Sequence, residues 1–401
     1  EAAKLTLSYR ADLFGAEYAE RVQTLFAHAL MQLADAPDLP VARIGLEDAP
    51  HAPQGRPRRD PRMITDLFAA QVARSPDATA LGWDGGQMSY ARLDRDSDRL
   101  ADRLIRLGVQ MGDIVGISLP RGPEVAIAVL GLWKAGAAYL PLDPAYPASR
   151  LQHMLGDARP RLIVTDPATR QLLPAGDWSA VMVQEPHLEG ADTQALWPRR
   201  RLIADSPAFV LYTSGSTGAP KGVIGTHGTV AERLSLPLPT AGDTGARVYI
   251  HKTTLNFIDA IHELFLPLLH GDRVEIAPHD DPGDVEGIAR VIESRSVSRI
   301  VLVPSLLRAL LELPDADKRL KSLHLCISSG EALPGELAVR FRNLLPHARL
   351  LNIYGTSEMW DASAAEAGRE LGLSQATASY HLRVLERVGL GSEDARLLLI
   401  E

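Results

Sequence analysis

Apolar positions along this chain follow two alternating rhythms. From Met63 onward, stretches with the 3.6-residue period of a helix are followed by short apolar runs of the length of a buried strand. Leu93, Ser97, Leu100, Leu104 and Leu107 share one face of a helix that stops at Gly108, and IVGISLP (114 to 120) reads as the strand after it. Pro123 opens the next helix and Gly136 closes it, because Pro is preorganised for the first helical turn and Gly tolerates the conformation just past the last. PRLIVTD, AFVLYT, RVEIAP, RIVLVP, LHLCISSG and RLLNIYG are further strands with helical stretches between them. Repeated βα units predict an α/β fold of parallel sheets covered by helices on both faces. Ligands bind in such sheets at the carboxyl ends of the strands. Upstream, Tyr18, Val22, Leu25, Phe26 and Leu33 recur at helical spacing within 14 to 34. HAPQGRPRRDPR (51 to 62) cannot build a core and reads as a linker, or through its basic charge as a nucleic-acid contact.

Three loops at strand ends carry candidate chemistry. LYTSGSTGAPKG (211 to 222) offers hydroxyls from Thr213, Ser214, Ser216 and Thr217, while Gly215, Gly218 and Gly222 let the backbone approach a ligand closely. With the ammonium of Lys221 they make an anion site; a solvated Ser/Gly linker is the competing reading. The Walker spacing is not met, because Lys221 stands between Pro220 and Gly222. SSGEALP (328 to 334) and YGTSE (354 to 358) carry Glu331 and Glu358, one of which could hold Mg2+, a hard cation that prefers oxygen. Tyr354 offers a ring on which a base can stack.

Composition narrows the classes. At 401 residues the chain exceeds one average domain. Its 46% hydrophobic and 23% charged residues are ordinary for a globular protein. A net charge of −8 argues against a general binder of nucleic acid or membrane surface, which positive fields hold. The single Cys326 excludes an internal disulfide and fits a reducing cytoplasm. No apolar run reaches the roughly 20 residues that span a bilayer. EAAKLTLSYRADLF, at the start, lacks a signal-peptide pattern and reads as the interior of a domain.

Over residues 63–361 the chain resembles the adenylate-forming enzymes, and more narrowly the amino-acid adenylation domains of nonribosomal peptide synthetases. The motifs that carry the likeness are MSYARL (88 to 93), LWKAGAAYLPLDPAYP (132 to 147), LYTSGSTGAPKGV (211 to 223), SSGEALP and NIYGTSE (352 to 358). Residues 1–48, with LTLSYRADLFGAEYAERVQTLFAHAL, resemble the end of a condensation domain, and 49–62 would be the linker. The resemblance implies the large N-terminal subdomain of the adenylate-forming fold. It also implies an acid activated by ATP and Mg2+ and then passed to the phosphopantetheine of a peptidyl carrier protein, beside a neighbouring condensation domain. By the same resemblance Thr213, Ser214, Gly215, Ser216, Thr217, Gly218 and Lys221 embrace the departing pyrophosphate. Gly330 and Glu331 border the adenine, Tyr354 stacks on it, and Asn352, Gly355 and Thr356 complete the nucleotide site. Ser357 touches the α-phosphate and Glu358 binds the metal, so Lys221, Ser357 and Glu358 are the expected catalytic residues.

Substrate choice turns on LNFIDAIHELF (255 to 265). In amino-acid-activating relatives this helix usually reads Phe-Asp-x-Ser-x-Trp-Glu, and its Asp pairs with the α-ammonium. Anchored at Phe257, Glu263 and Phe265, the chain has Ile258 where that Asp belongs, Asp259 one residue later and His262 in place of Trp. One residue turns a helical side chain by about 100°. The implied pocket comprises Phe257, Ile258, Asp259, His262, Val301, Ile327, Ser329 and Ile353, with Asp361 or Ala362 beside it. An α-ammonium facing Ile258 would be a costly unpaired cation. The expected substrate is then a β-amino acid whose ammonium reaches Asp259, or an acid without an α-amino group. A local register shift that returns Asp259 to the usual role is the alternative.

After Glu358 the likeness lapses. The β-rich portion, the ribose-gripping Asp and the lid with its catalytic Lys cannot be found. Residues 362–391 resemble the helix-turn-helix of arsenical-resistance-type repressors, with Ala365, Leu371, Gly372 and Leu373 in the first helix and turn, and 392–401 form a tail. Arg369, Arg383 and Arg387 are balanced by Glu366, Glu370 and Glu386, so DNA is not expected as a partner. The leading expectation is a synthetase module impaired by truncation. The alternative is a transcriptional regulator built on an adenylation-derived domain.

Overall fold

The computed structural model describes residues 62–176, 178–183, 202–213, 220–234, 247–278, 284–356 and 360–366, together with 24, 27, 28, 31 and 32; for 354–356 and 360–366 it gives the backbone alone. Of the helix expected over 14 to 34, the described residues are helical. The linker 49–61 lies outside the described residues.

Strands β1 (Thr79–Trp83), β2 (Gly86–Ser89), β9 (Val248–His251), β10 (Arg273–Ile276), β11 (Arg299–Leu302), β12 (Leu325–Ser328), β13 (Arg349–Thr356) and β14 (Trp360–Glu366) form an eight-stranded sheet in the order β14-β13-β12-β11-β9-β10-β1-β2. Strands β3 (Ile114–Ser118), β4 (Ala138–Pro141), β5 (Leu162–Thr165), β6 (Ser179–Met182), β7 (Pro207–Thr213) and β8 (Lys221–Thr226) form a six-stranded sheet in the order β6-β5-β3-β4-β7-β8. The interior pairs are parallel, as the βα alternation predicts. Pairs β1–β2, β7–β8 and β13–β14 are antiparallel, so the sheets are mixed rather than wholly parallel. The reason is connection length: a parallel neighbour needs a crossover of a dozen or more residues, and these links are too short for one. Between β1 and β2 stand only Asp84 and Gly85, with Gly85 at φ +97°. Residues 362–366, expected to open a helix, continue β14 instead, and Ala365 pairs with Asn352.

Two helices lie between the sheets. Every residue of α3 (Pro123–Ala135), apart from Glu124, is buried, as are residues 260–268 of α7 (Ile258–His270). Helices buried on every face must be enclosed on all sides. The rings of Trp133 in α3 and Phe265 in α7 meet at 4.7 Å, and Trp133 Nε1 donates to the carbonyl of Ala208 in β7 at 2.9 Å. Gly136 ends α3 at φ +81°, the left-handed turn that the sequence announces. Helix α1 (Ile64–Arg74) packs beside α7, and α2 (Tyr90–Arg106) lies along α3. Lys134 ties those two together: its buried ammonium sits 2.7 Å from Asp94 and 2.8 Å from Asp98 and donates to Ser97 Oγ. Leu93, Ser97, Leu100 and Leu104 point into this core, whereas Leu107 caps the helix end and is half exposed, because the chain has already left the helix there. Helix α4 (Ala148–Ala158) covers the outer face of the six-stranded sheet. Helices α8 (Val285–Arg295), α9 (Pro304–Leu311) and α11 (Gly335–Leu344) cover that of the eight-stranded one. Pro267 stands inside α7.

The helix after β8, α6 (His227–Leu234), brings His227 against Trp133, ring centroids 6.0 Å apart, and burial pushes this imidazole down to about 4. Because the folded state resists the proton, its stability is fully present above the ordinary histidine value and falls as pH drops from 6.5 toward 4. Chemical denaturation across that window is expected to show a loss of the order of 3 kcal/mol from this group, and a correspondingly shallower fall in His227→Phe.

Candidate active site

The loops that leave the parallel strands of the two sheets meet at one place. Arg121, just past β3, donates to the carbonyl of Pro278, just past β10, at 2.8 Å. Asn256, on the way from β9 to α7, donates to Asp143, just past β4, at 3.2 Å. The carboxyl ends of both sheets therefore face each other, where the fold class puts ligands.

Thr213 and Lys221 pair across the end of the β7–β8 ladder and frame the loop between them. Helix α4 braces this frame: Tyr212 hydroxyl donates to Asp157 Oδ2 at 2.5 Å, and a ring nitrogen of His153 lies 3.2 Å from the carbonyl of Pro220. Burial, then the Asp157 carboxylate, raises the Tyr212 hydroxyl well above the usual phenol value, so the tie is present at any physiological pH. Lys221 is exposed. Ser214, Gly215, Ser216, Thr217 and Gly218 lie outside the described residues, as do Ser357 and Glu358.

After β12 the chain turns at Gly330, φ +83°, a left-handed conformation that suits glycine. Glu331 is exposed and accepts from Ser305 N at 3.1 Å and Ser305 Oγ at 2.9 Å, where it complements the N-terminus of α9. Asn352 is half-buried in β13, and its Oδ1 is buried without a hydrogen-bond partner. Tyr354, Gly355 and Thr356 follow in the same strand. Gly330, Glu331 and the β13 residues thus stand at the ends of neighbouring strands.

The expected acid pocket is largely gathered around one small cavity. Asp259, His262, Val301, Ile327, Ser329 and Ile353 line it, and Arg233 of α6 joins them. Val301, Ile327 and Ile353 form an apolar floor with Leu325 and Leu351, since alternate residues of β11, β12 and β13 share one sheet face. Phe257 and Ile258 depart from the expectation. Phe257 is the N-cap residue of α7 and is 60% exposed, and Ile258 packs against the main core. Because α7 begins only at Ile258, Asp259 and His262, three residues apart and therefore neighbours on one face, turn to the cavity. Asp259 lines the cavity and Ile258 does not. Of Asp361 and Ala362, only the backbone is described, in β14.

Electrostatics around the cavity are set by burial. The Asp259 carboxyl is raised by burial and by Glu263, against Lys252, the Ser329 hydroxyl 3.4 Å away and Arg233. His262 is pushed down to about 3 by burial and Arg233, so it is neutral near pH 7. Glu263, next along α7, is legible only as an anchor for alignment, yet it ties the end of β9 to α7. It accepts from Lys252 N at 3.0 Å, Thr253 N at 2.9 Å, Lys252 Nζ at 3.0 Å and Thr253 Oγ1 at 2.8 Å, and His251 Nδ1 lies 3.3 Å away. Burial opposes its ionisation, but Lys252 and these donors outweigh it and hold the carboxyl far below the usual range. Arg233 was not foreseen at all, because no local pattern in α6 points to a cavity built mainly by other elements.

This arrangement belongs to a known class: two packed sheets with loops gathered at their strand ends match the N-terminal subdomain of NpsA from Klebsiella oxytoca, solved in complex with 3-hydroxybenzoyl-AMSN. Identity is 30%, the TM-score is 0.69, and the match covers 76% of this chain and 75% of that one. Residues 68–389 match the AMP-binding enzyme family, and the chain belongs to it. A plipastatin synthase of Bacillus subtilis is 32% identical over 89% of this chain, and the dimodular nonribosomal peptide synthase of the same organism 34% identical over 75%. The chain spans only 14% and 13% of the lengths of those two relatives. The family match runs on past Glu358 to residue 389, and with 362–366 in a strand nothing supports the regulator alternative. Among the described residues no helix is long and apolar enough to cross a membrane, and no group of three or more His, Cys, Asp or Glu could hold a metal ion.

Removing one partner of a buried pair strands the other's charge. Glu263→Leu is therefore expected to cost about 3–5 kcal/mol in urea unfolding, and the double variant with Lys252→Met to recover a large part of that loss.

Proposed function

We propose that this chain activates an amino or other carboxylic acid as its acyl adenylate, for loading onto the phosphopantetheine of a peptidyl carrier protein in nonribosomal peptide synthesis. The observation that carries the reading is that the carboxyl ends of the two sheets face each other, one bearing the Thr213–Lys221 frame and the other the Gly330–Glu331 turn and a small polar-edged cavity. A carboxylate oxygen of the acid attacks the α-phosphorus of ATP, the bond to the β-phosphate oxygen breaks, and pyrophosphate leaves with the electron pair. A thiol of the carrier then displaces AMP from the acyl group. Catalysis of the first step is mostly positioning and charge stabilisation. Lys221, Thr213 and the hydroxyl and glycine residues 214–218 meet the phosphates, and Ser357 meets the α-phosphate. Asn352, Tyr354, Gly355 and Thr356 receive the adenosine beside Gly330 and Glu331. Glu358 is the carboxylate that would meet the Mg2+ carried by the triphosphate, whose charge the ion would offset.

The relatives support this reading: several are peptide synthases, and one structure similar over 78% of this chain, at 29% identity and a TM-score of 0.68, is an artificially fused adenylation–PCP di-domain from Klebsiella oxytoca. A condensation domain of which residues 1–48 are the end, and a cytoplasmic location, belong to the same proposal.

Titration with a fluorescent ATP analogue and Mg2+ tests it. A charge-assisted phosphate contact contributes about 1.5–3 kcal/mol, so Lys221→Ala is expected to weaken binding by roughly 10- to 100-fold. Equal binding by both forms, with no acid-dependent pyrophosphate exchange by the wild type, would overturn the reading.

A further inference from the structure

Helix α4 grips the β7–β8 hairpin on both sides of Lys221. His153 and Asp157, four residues apart and therefore neighbours on one helix face, both reach the buried ring of Tyr212. Asp157 accepts from the Tyr212 hydroxyl at 2.5 Å, and the imidazole of His153 stands edge-on to the ring, centroids 6.1 Å apart. Held there, the imidazole brings Nε2 to 3.2 Å from the Pro220 carbonyl. A carbonyl only accepts, so Nε2 carries the proton and donates, as both the neutral imidazole with its proton on Nε2 and the imidazolium can. On the other side of Lys221, Tyr212 pairs with Gly222 across the ladder and lays its ring over that glycine: a Cβ on Gly222 would meet Tyr212 Cζ at 3.4 Å and Val210 Cγ1 at 3.2 Å. The residue before Lys221 is thereby held by His153, and the residue after it by Tyr212.

The sheet alone does not supply the first of these holds. Thr213–Lys221 is the last described pair of the ladder, and Pro220, which has no amide hydrogen, cannot extend it as a donor. Successive side chains of a strand point to opposite faces, so Lys221 turns away from the face that carries Tyr212 and α4. The helix therefore fixes the backbone beneath Lys221 and leaves its exposed side chain to a ligand. A lysine reaches its target on a flexible four-carbon stem, and its aim depends on how firmly that stem is rooted. Resting on the proposed adenylation function, we infer that His153 is a positioning residue for the first step: its hydrogen bond to the Pro220 carbonyl sets where the Lys221 ammonium meets the β- and γ-phosphates of ATP. His153 touches no ligand itself. Its influence reaches only ligands that carry phosphate beyond the α position, because AMP and an acyl adenylate offer Lys221 no pyrophosphate group to meet.

Dissociation constants of the whole chain with Mg2+, measured by titration for the fluorescent ATP analogue and by calorimetry for AMP, test the inference. His153→Ala is expected to weaken the ATP analogue roughly three- to tenfold, the effect of one hydrogen bond, and to leave AMP unchanged. His153→Gln, whose side-chain N–H takes the place of the imidazole donor, should restore most of the loss. In a Lys221→Ala background, His153→Ala should cost nothing further, because residues that act through one another are not additive. A loss shared by AMP, a loss undiminished in the Lys221→Ala background, or no loss at all would overturn the inference and leave the adenylation reading standing. Wild-type protein that binds no ATP analogue, or binds it no better than Lys221→Ala does, would overturn both.

Discussion

The contact between Trp133 and Phe265 is the constraint on which the rest of this structure depends. Each ring comes from a helix buried along most of its length, and such helices have no stable place except between layers. With Trp133 also tied to the carbonyl of Ala208, one side chain joins α3 and α7 to β7. The six-stranded sheet, which holds the Thr213–Lys221 frame, is thereby fixed against the eight-stranded sheet, which holds the cavity floor. Under the proposed function the phosphates meet one sheet while the adenosine and the acid meet the other, so the spacing of the reacting groups would be decided in the core. Interiors packed at crystal-like density transmit small displacements rather than absorbing them.

Within that frame, the buried carboxylate of Glu263 sets the approach to the cavity. Its oxygens take up the backbone N–H groups of Lys252 and Thr253, which would otherwise be orphaned where β9 ends. The segment from His251 to Phe257 is thus held before α7 starts, and the point at which α7 starts decides which side chains face the ligand. Charge burial here serves geometry more than stability, for a buried pair seldom repays its desolvation by much.

How much of this was legible in the sequence follows from how local each signal is. The limits of α3 were readable because Pro123 and Gly136 act on their own neighbours, and the strands around Ile163, Val210, Ile300 and Ile327 because a short apolar run needs no partner to be recognised. Strand β9 escaped notice: Val248–His251 is four residues long and ends in a histidine whose burial depends on Glu263, a residue in the next helix. The β1–β2 hairpin was hidden inside a stretch read for its family likeness, although Asp84-Gly85 is a strong turn signal. At the site, Val301, Ile327, Ser329 and Ile353 were found by motif position and do share one cavity. Ile258 and Phe257 stand apart from that cavity, since a motif alignment fixes order along the chain but not the rotation of a helix about its axis. Arg233 carried no signal, since only the packing of α6 beside α7 brings it near Asp259.

Pro267 gives α7 a mechanical boundary. Lacking an amide hydrogen, it leaves the carbonyl of Glu263, four residues earlier, without its helical donor. The turns that carry Asp259 and His262 are therefore joined to the turns beyond Pro267 by one rung fewer than an ordinary helix would have. What the ligand asks of the first half and what the core asks of the second are, to that extent, separate demands on one helix, and a sequence can change its answer to the one without renegotiating the other.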